Sequence, residues 1–379
     1  MSRIVYENGD VYEGAVRNGA PNGYGVMDYN DGSHYEGQFR DGKRNGEGVM
    51  RWDSGKWEGD EYEGSFLNGY RHGKGVYRFA CGDVYEGDWV NGKRTGKGVY
   101  TWPGDTGGYD DTDFNTKDAG TVSYAVNSRY EGDFLDSQRT GKGKYFWANG
   151  DVYEGDFIDG KRTGKGTYTW ADGCVYVGDF VDGKRTGRGV FTWGEGEWDG
   201  DRYEGQFLAG KRHGVGKYIW ANGNYYYGAF LDGKRTGKGK FVWKSGDAYD
   251  GDFIDGKRTG YGKYTWKDGS YYEGDFNDGK RTGHGRYVWT NGDVYEGDFV
   301  EGKRTGQGTF RWGEGKWKGD RYVGDFVEGK RTGEGTYYWA AGSSYTGGWL
   351  DNKRHGKGVY TNEKGKREKH SYENGERIK

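Results

Sequence analysis

One stretch of the sequence decides the fold: Asp151-Val-Tyr-Glu-Gly-Asp-Phe-Ile-Asp-Gly-Lys-Arg-Thr-Gly-Lys-Gly-Thr-Tyr-Thr-Trp-Ala-Asp-Gly173. This unit of 23 residues recurs along nearly the whole chain of 379 residues, each time around a tyrosine. The fourteen anchoring tyrosines are Tyr12, Tyr35, Tyr62, Tyr85, Tyr130, Tyr153, Tyr176, Tyr203, Tyr226, Tyr249, Tyr272, Tyr295, Tyr322 and Tyr345. Most steps between them are 23 residues, three are 27 and one is 45. A fixed period of this length predicts a repeat array.

Each unit contains two segments with the alternating pattern of a β-strand. In residues 153–157 aromatic side chains alternate with acidic ones, and in residues 166–170 they alternate with threonines. The Gly-rich segment 159–165 predicts a polar loop between these two strands, and residues 171–173 predict a tight turn into the next unit. Each unit is therefore expected to form a β-hairpin. Successive hairpins are expected to join into one antiparallel meander.

The alternation also predicts what forms the core. Tyr153, Gly155 and Phe157 share one face, while Glu154 and Asp156 share the other. Aromatic residues make up 18% of the chain, which contains 79 glycines. Glycines on the aromatic face would leave room for rings to lie over the neighbouring backbone, and rings from adjacent repeats would meet edge-on or offset. Aromatic packing is thus expected to replace an aliphatic core.

The bulk composition limits the classes of partner. Charged residues make up 31% of the chain, yet the net charge is only -2, so no global charge draws the protein to nucleic acid. The two cysteines, Cys81 and Cys174, lie in turns of well-separated repeats and are expected to be unpaired thiols in a reducing compartment. With no signal peptide or long apolar run, a cytoplasmic protein is expected.

Two departures from the period stand out. The 27-residue steps each place about four extra residues in a turn, and each longer turn adds a tryptophan: Trp57, Trp198 and Trp317. They recur every five repeats, which suggests either duplication of a five-repeat block or docking to a periodic partner. The 45-residue step contains an acidic segment beginning at Pro103, and loops of this length are usually mobile or functional.

The repeated Tyr-Glu-Gly-Asp-Phe, Asp-Gly-Lys-Arg-Thr-Gly-Lys-Gly and Tyr-x-Trp motifs resemble the MORN repeat (membrane occupation and recognition nexus). The resemblance implies an all-β fold, an elongated single-layer antiparallel meander or solenoid of stacked β-hairpins. The predicted organisation is a half-repeat cap in residues 1–11, repeats 1–4 in 12–102, an acidic inserted loop in 103–129, repeats 5–14 in 130–362 and a basic tail in 363–379.

The same resemblance implies a non-enzymatic scaffold, since the repeats use up the chain and leave no room for an appended catalytic domain. Members of the family serve as scaffolds in the cell cortex, in cilia and in radial spoke heads, and hold helices or peptides of partner proteins. Some have been linked to phospholipids. A cytoskeletal or ciliary setting, a protein partner and a homodimer are therefore implied for this chain.

No catalytic residue, metal site or cofactor is predicted. Residues 160–165 are only superficially like a phosphate-binding P-loop, because three residues rather than four separate the glycines and Gly166 follows the lysine. Residues 111–115 have the opening spacing of a Ca²⁺ loop, but Thr116 and Val122 stand where a glycine and a glutamate are needed. A plain acidic loop is favoured there. The six histidines show no ligand spacing.

The main functional hypothesis is a groove lined by the aromatic face of the central repeats, which would hold a helix or an extended peptide. The residues predicted to line it are Tyr153, Phe157, Trp170, Tyr176, Phe180 and Trp193.

The alternative hypothesis is a basic edge that binds acidic phospholipids such as phosphoinositides. Lys-Arg pairs recur in the predicted loop and would form a ribbon with one pair per repeat, which includes Lys161, Arg162, Lys184, Arg185, Lys234, Arg235, Lys257 and Arg258. Local pairing of these residues with nearby carboxylates, or simple solvation, would explain them without a ligand. Binding through such an edge should weaken steeply with ionic strength.

Overall fold

A computed structural model describes residues 1–103 and 128–379. The chain divides into two compact units, the first comprising residues 1–199 and 207–210 and the second residues 200–206 and 211–379. The described residues contain 31 β-strands and no α-helix. Within these ranges, no helix has the length and apolar character needed to cross a bilayer.

Up to residue 192 the structure contains fifteen strands and one 3₁₀ helix, Gly55–Trp57. The strands are β1 (Ser2–Val5), β2 (Val11–Arg17), β3 (Ala20–Asp28), β4 (Ser33–Arg40), β5 (Lys43–Trp52), β6 (Glu61–Leu67), β7 (Tyr70–Arg78), β8 (Val84–Val90), β9 (Lys93–Trp102), β10 (Ser128–Leu135), β11 (Gln138–Phe146), β12 (Val152–Ile158), β13 (Lys161–Thr169), β14 (Val175–Val181) and β15 (Lys184–Thr192).

From residue 202 onwards sixteen strands follow. They are β16 (Arg202–Leu208), β17 (Lys211–Ile219), β18 (Tyr225–Leu231), β19 (Lys234–Val242), β20 (Ala248–Ile254), β21 (Lys257–Thr265), β22 (Tyr271–Asn277), β23 (Lys280–Val288), β24 (Val294–Val300), β25 (Lys303–Arg311), β26 (Arg321–Val327), β27 (Lys330–Tyr338), β28 (Ser344–Leu350), β29 (Lys353–Thr361), β30 (Arg367–Glu373) and β31 (Glu376–Arg377).

Consecutive strands pair antiparallel within each unit, so the predicted all-β meander of stacked hairpins is confirmed. In the first unit β9 pairs directly with β10, with Trp102 opposite Ser128, although the acidic insert separates them in sequence. The candidate Ca²⁺ segment 111–115 lies outside the described residues. Residues 363–379, the predicted basic tail, include β30 and β31, and Tyr372 takes the position that phenylalanine holds in other repeats, opposite Gly356.

The prediction of a loop over residues 159–165 is wrong. Strand β13 already begins at Lys161, and only Asp159 and Gly160 connect it to β12. Their φ angles are 48° and 81°, the left-handed pair that a two-residue hairpin turn requires. The Lys-Arg pair therefore belongs to a strand, with Arg162 opposite Phe157.

A β-bulge explains why this strand looks like a loop in sequence. Gly155 pairs with Gly166, but its neighbour Asp156 pairs with Thr163, so Gly164 and Lys165 have no partner on β12. Gly164 has a φ of 56°, which favours glycine. The carboxylate of Asp156 accepts a hydrogen bond of 3.0 Å from the backbone N–H of Lys165 and so replaces the missing ladder bond.

The core of each unit is a row of anchor tyrosines, and Tyr153 illustrates their packing. Its side chain is fully buried, and its hydroxyl donates a hydrogen bond of 3.1 Å to the backbone oxygen of Asp156. The ring lies so close to Gly166 that a Cβ there would be 2.5 Å from ring atoms of Tyr153. The predicted role of glycine, to make room for rings, is thus confirmed.

Candidate partner-binding face

The aromatic face of the sheet carries two parallel rows of rings in each unit. In the first row the anchor tyrosines alternate with phenylalanines in edge-on contact. Tyr153 lies between Phe157 of its own repeat and Phe180 of the next, with ring centroids 5.2 Å and 5.1 Å away. Such contacts stabilise beyond the area that they bury. Each repeat is therefore joined to its neighbour by a ring as well as by strand pairing.

The second row alternates tyrosine or phenylalanine with tryptophan. The ring of Trp170 lies 4.3 Å from that of Tyr168 in its own repeat and 5.2 Å from that of Phe191 in the next. Trp147 makes the same kind of contact with Tyr168, at 5.1 Å. Trp170 follows the last residue of β13, at the start of the turn to β14. This row therefore runs along the edge of the aromatic face.

The six predicted groove residues separate into two groups. Tyr153, Phe157, Tyr176 and Phe180 belong to the first row and are buried, so a partner could not touch them without opening the core. Trp170 and Trp193 belong to the second row and are half-buried. Only these two of the six residues offer an accessible surface.

Half-buried aromatic side chains recur at the position of Trp170 in other repeats. In the first unit they are Trp52, Phe79, Trp102, Trp147, Trp170 and Trp193. In the second unit they are Trp220, Trp243, Trp266, Trp289, Trp312 and Trp339. We call this set the tryptophan row.

The arginines of the predicted basic edge point into the aromatic face. Arg162 is buried, with its guanidinium carbon 5.1 Å from the ring centroid of Tyr168 and 5.6 Å from that of Tyr153. It donates a hydrogen bond of 2.8 Å to the carbonyl oxygen of Gly183 in the following turn. Arg185, Arg235 and Arg258 make the equivalent bonds, at 2.9, 2.8 and 2.8 Å.

Burial has an electrostatic consequence for these arginines. It lowers the pKa of Arg235 and Arg258 below the usual value, because desolvation disfavours the charged form. Each guanidinium lies over several rings and is bonded to a carbonyl, which offsets part of that cost. The arginines therefore join one repeat to the next, and they are not the exposed ribbon that the sequence suggested.

The lysines of the predicted edge are exposed but have acidic neighbours. Lys161 lies 3.9 Å from the carboxylate of Asp182, and Lys234 lies 3.2 Å from that of Asp255. Lys257 pairs with Asp278 in the same way, and Lys184 is exposed on the same side. Each of these carboxylates comes from the turn one repeat further on. The three pairs match the local interpretation of the Lys-Arg motif.

A buried carboxylate that sequence analysis missed supports the second row. Asp151 accepts a hydrogen bond of 2.8 Å from the hydroxyl of Tyr168 and another of 2.9 Å from the backbone N–H of Ala171. Burial, and then the charge of Asp151, raise the pKa of Tyr168 well above the usual value. The signal in the sequence was an aspartate two residues before many anchor tyrosines. Because both partners are satisfied, this pair is structural.

In the described part of the chain, two other features give no site. Within residues 1–103 and 128–379, no group of three or more His, Cys, Asp or Glu side chains is placed to hold a metal ion. Trp57, Trp198 and Trp317 lie in the three longer turns, and each is more than half exposed.

Comparison with known proteins identifies the repeats. No curated protein matches the chain. Several solved structures show slight likeness. The TCP domain of SAS-4 (dCPAP) from Drosophila melanogaster, in complex with a proline-rich motif of Ana2, has 12% identity and a TM-score of 0.28, and the match covers 42% of this chain and 85% of that chain. The TCP10 domain of Danio rerio CPAP has 10% identity and a TM-score of 0.30, with coverage of 60% and 99%. Virginiamycin B lyase from Staphylococcus aureus has 9% identity and a TM-score of 0.13, with coverage of 66% and 83%. These values carry no inference about function.

Fourteen segments match the MORN repeat: residues 12–34, 35–57, 62–84, 85–106, 130–152, 153–175, 176–198, 203–225, 226–248, 249–271, 272–294, 295–320, 322–344 and 345–367. They begin at the anchor tyrosines, and together they span most of both units. The chain belongs to the MORN repeat family.

Proposed function

We propose that this protein is a non-enzymatic scaffold that binds a segment of a partner protein along the tryptophan row. The observation that supports it is the division of the aromatic face into a closed row and an accessible one. Tyr153 and Phe157 are buried, whereas Trp147 and Trp170 keep part of their rings in solvent. A partner can therefore bury further aromatic surface while the core stays intact.

The spacing of the row suits a helix or an extended peptide. Successive tryptophans are two strands apart, which corresponds to roughly 10 Å along the sheet. Seven residues of an α-helix rise about 10.5 Å, so one apolar side chain per heptad would meet one tryptophan per repeat. An extended peptide would match the same spacing with about every third residue.

Phospholipid binding has less support from the geometry. Arg162, Arg235 and Arg258 use their guanidinium groups inside the aromatic face. The adjacent Lys161 and Lys234 lie beside carboxylates. A lipid headgroup would have to compete with these contacts.

Affinity capture from native lysate tests the proposal. Full-length tagged protein is compared with the W147L/W170L variant and with a control, T167A/T169A, whose changes lie on β13. The proposal predicts a partner that is retained at about 0.5 M salt, because apolar contacts are little screened. Capture should be lost in the tryptophan variant and kept in the control. A partner bound equally by all three proteins would refute the tryptophan row as the binding surface.

The cytoskeletal or ciliary setting that the family implies remains part of the proposal. Imaging of the protein, tagged at its own locus, tests it. Concentration at the axoneme, the basal body or the cortex would support the assignment. A diffuse signal that detergent extraction removes would contradict it.

A further inference from the structure

The face of the sheet opposite the aromatic rows carries ion pairs between several adjacent repeats. A lysine on the second strand of one repeat meets an aspartate on the first strand of the next. Lys142 and Asp156 lie 2.6 Å apart, and Lys238 and Asp252 lie 2.9 Å apart. Further pairs of this kind are Lys74–Asp88, Lys97–Asp133 and Lys165–Asp179. This outer face is therefore well solvated where the pattern holds.

Strands β17 and β18 interrupt the pattern. Val215 stands where the lysine is expected, and Ala229 stands opposite it in place of the aspartate. Tyr227 replaces the usual glutamate on the same strand. Val215 is 51% exposed, Tyr227 56% and Leu231 53%.

These residues form one continuous apolar surface. Strand alternation places Tyr225, Tyr227, Ala229 and Leu231 on the outer face, since Tyr226 between them is fully buried on the other side. Ile219 lies directly opposite Tyr225. We define the β18 patch as Val215, Ile219, Tyr225, Tyr227, Ala229 and Leu231. Single exposed aliphatic residues are ordinary, but a contiguous patch marks an interaction site.

Two lysines flank the centre of the patch. Lys217 on β17 and Lys240 on β19 are the cross-strand neighbours of Tyr227. In an ordinary repeat the corresponding neighbour, Lys144, pairs with Glu154 at 3.3 Å. Tyr227 cannot serve as such a partner, and the ammonium group of Lys217 lies 4.8 Å from the ring centroid of Tyr225 instead. Positive charge thus accompanies exposed apolar surface at β17 and β18.

We propose that the β18 patch binds an acidic segment of a partner protein that carries aliphatic side chains. Aliphatic groups would cover Tyr227, Val215 and Leu231, and carboxylates would pair with Lys217 and Lys240. Such charge complementarity speeds encounter and fixes register. A second copy of this chain is a poorer occupant, because a two-fold contact would bring the same lysines face to face. The patch lies on the opposite face from the tryptophan row, so a substitution in one site can abolish binding there without affecting the other site.

The test uses a phage-displayed library of random peptides selected on the immobilised full-length chain. Enriched peptides are synthesised, and their affinity is measured by fluorescence anisotropy. The V215K/Y227E/A229D variant installs the residues found in other repeats and should keep the fold. The matched control is Val177→Glu, which introduces the same residue as Tyr227→Glu at the equivalent, half-exposed position of β14. A second variant, K217E/K240E, removes the positive charge.

The proposal predicts enrichment of peptides that combine Asp or Glu with Leu, Ile or Val. Their affinity should fall about tenfold or more in both β18-patch variants and stay unchanged in the control. Circular dichroism confirms that each variant is folded. Enrichment of basic or purely apolar peptides, equal binding by all variants, or no enrichment at all would overturn it. Loss of native-lysate capture in W147L/W170L with intact peptide binding would separate the two sites.

Discussion

Replacing Arg162 with methionine should loosen the array locally, because the guanidinium joins two repeats. Methionine keeps the apolar stem but loses the charge-assisted bond to the carbonyl of Gly183, worth about 1.5–3 kcal/mol. It also loses contact with the rings of Tyr153, Tyr168 and Phe180, worth about 1–2 kcal/mol. Burying the charge of Arg162 carries a desolvation cost, and removal of that charge offsets part of the loss. We expect a net cost of about 2 kcal/mol.

Lysine 161 provides the matched control on the same strand. Its ion pair with Asp182 is 3.9 Å long and exposed at both ends. After allowance for solvent screening, Lys161→Ala should cost about 0.5 kcal/mol or less. The two neighbouring substitutions thus distinguish an arginine that connects repeats from a lysine that lies on the surface.

Amide hydrogen exchange in the full-length protein measures the difference. In a repeat array a mutation acts mainly on its own repeat and its neighbours, so local opening is more informative than a global transition. A loss of 2 kcal/mol corresponds to exchange roughly 30-fold faster, and it should be confined to β12, β13 and β14. If Arg162→Met accelerated exchange no more than Lys161→Ala, the assigned role of the arginines would be refuted.

Three further predictions follow from the packing. Gly166→Ala should lower the free energy of local opening by about 1–3 kcal/mol, because its Cβ would lie 2.5 Å from the ring of Tyr153. Thr167→Ala, on the other face, should lower it much less, and amide hydrogen exchange measures both. Burial raises the pKa of Tyr203, Tyr226 and Tyr249 to about 12 from an ordinary 10.0, so the stability that they contribute to the second unit is full below pH 10 and is lost as pH rises through 12. Tyrosinate absorbance and circular dichroism should then change together, and ionisation without loss of structure would contradict this. Liposomes containing phosphoinositides should not sediment the protein at physiological salt, and sedimentation that K234E/K257E abolishes would show that the basic edge binds lipid.

The period and the alternation were sufficient to predict the hairpins and the aromatic core. Residues equivalent to Tyr153 and Phe157 recur on every second strand. Glycines on the same face leave the space that the rings fill. These features depend on local rules that repeat many times, so the structure of one repeat predicts that of the others. The sequence also indicated the turn after Trp170, where the N–H of Gly173 donates to the carbonyl of Trp170 at 3.0 Å.

The position of the Lys-Arg pair could not be predicted in this way. Glycine and lysine are depleted in strands, so residues 159–165 have the composition of a loop. The strand persists because the carboxylate of Asp156 accepts the backbone N–H of Lys165 across the bulge. The guanidinium of Arg162 lies in the aromatic face because it donates a hydrogen bond to the carbonyl of Gly183, one repeat away. Both contacts are tertiary, and strand propensity contains no information about them.

The same limit applies to the predicted groove. Alternation assigns Tyr153 and Trp170 to one face, but it does not say which ring lies beneath its neighbours. The answer depends on the edge-on contact of Phe180 with Tyr153 and on the position of Trp170 at the end of its strand. Accessibility therefore had to come from the structure.

Site-specific photo-crosslinking tests the partner-binding role of the aromatic face most directly. Benzoylphenylalanine is incorporated in place of Trp170 in one protein and in place of Thr167, on the opposite face of β13, in another. Both are expressed in native cells, irradiated and analysed by mass spectrometry. A protein cross-linked from position 170 and absent from position 167 is the predicted result. No adduct from position 170, or the same adducts from both positions, would contradict binding along the tryptophan row.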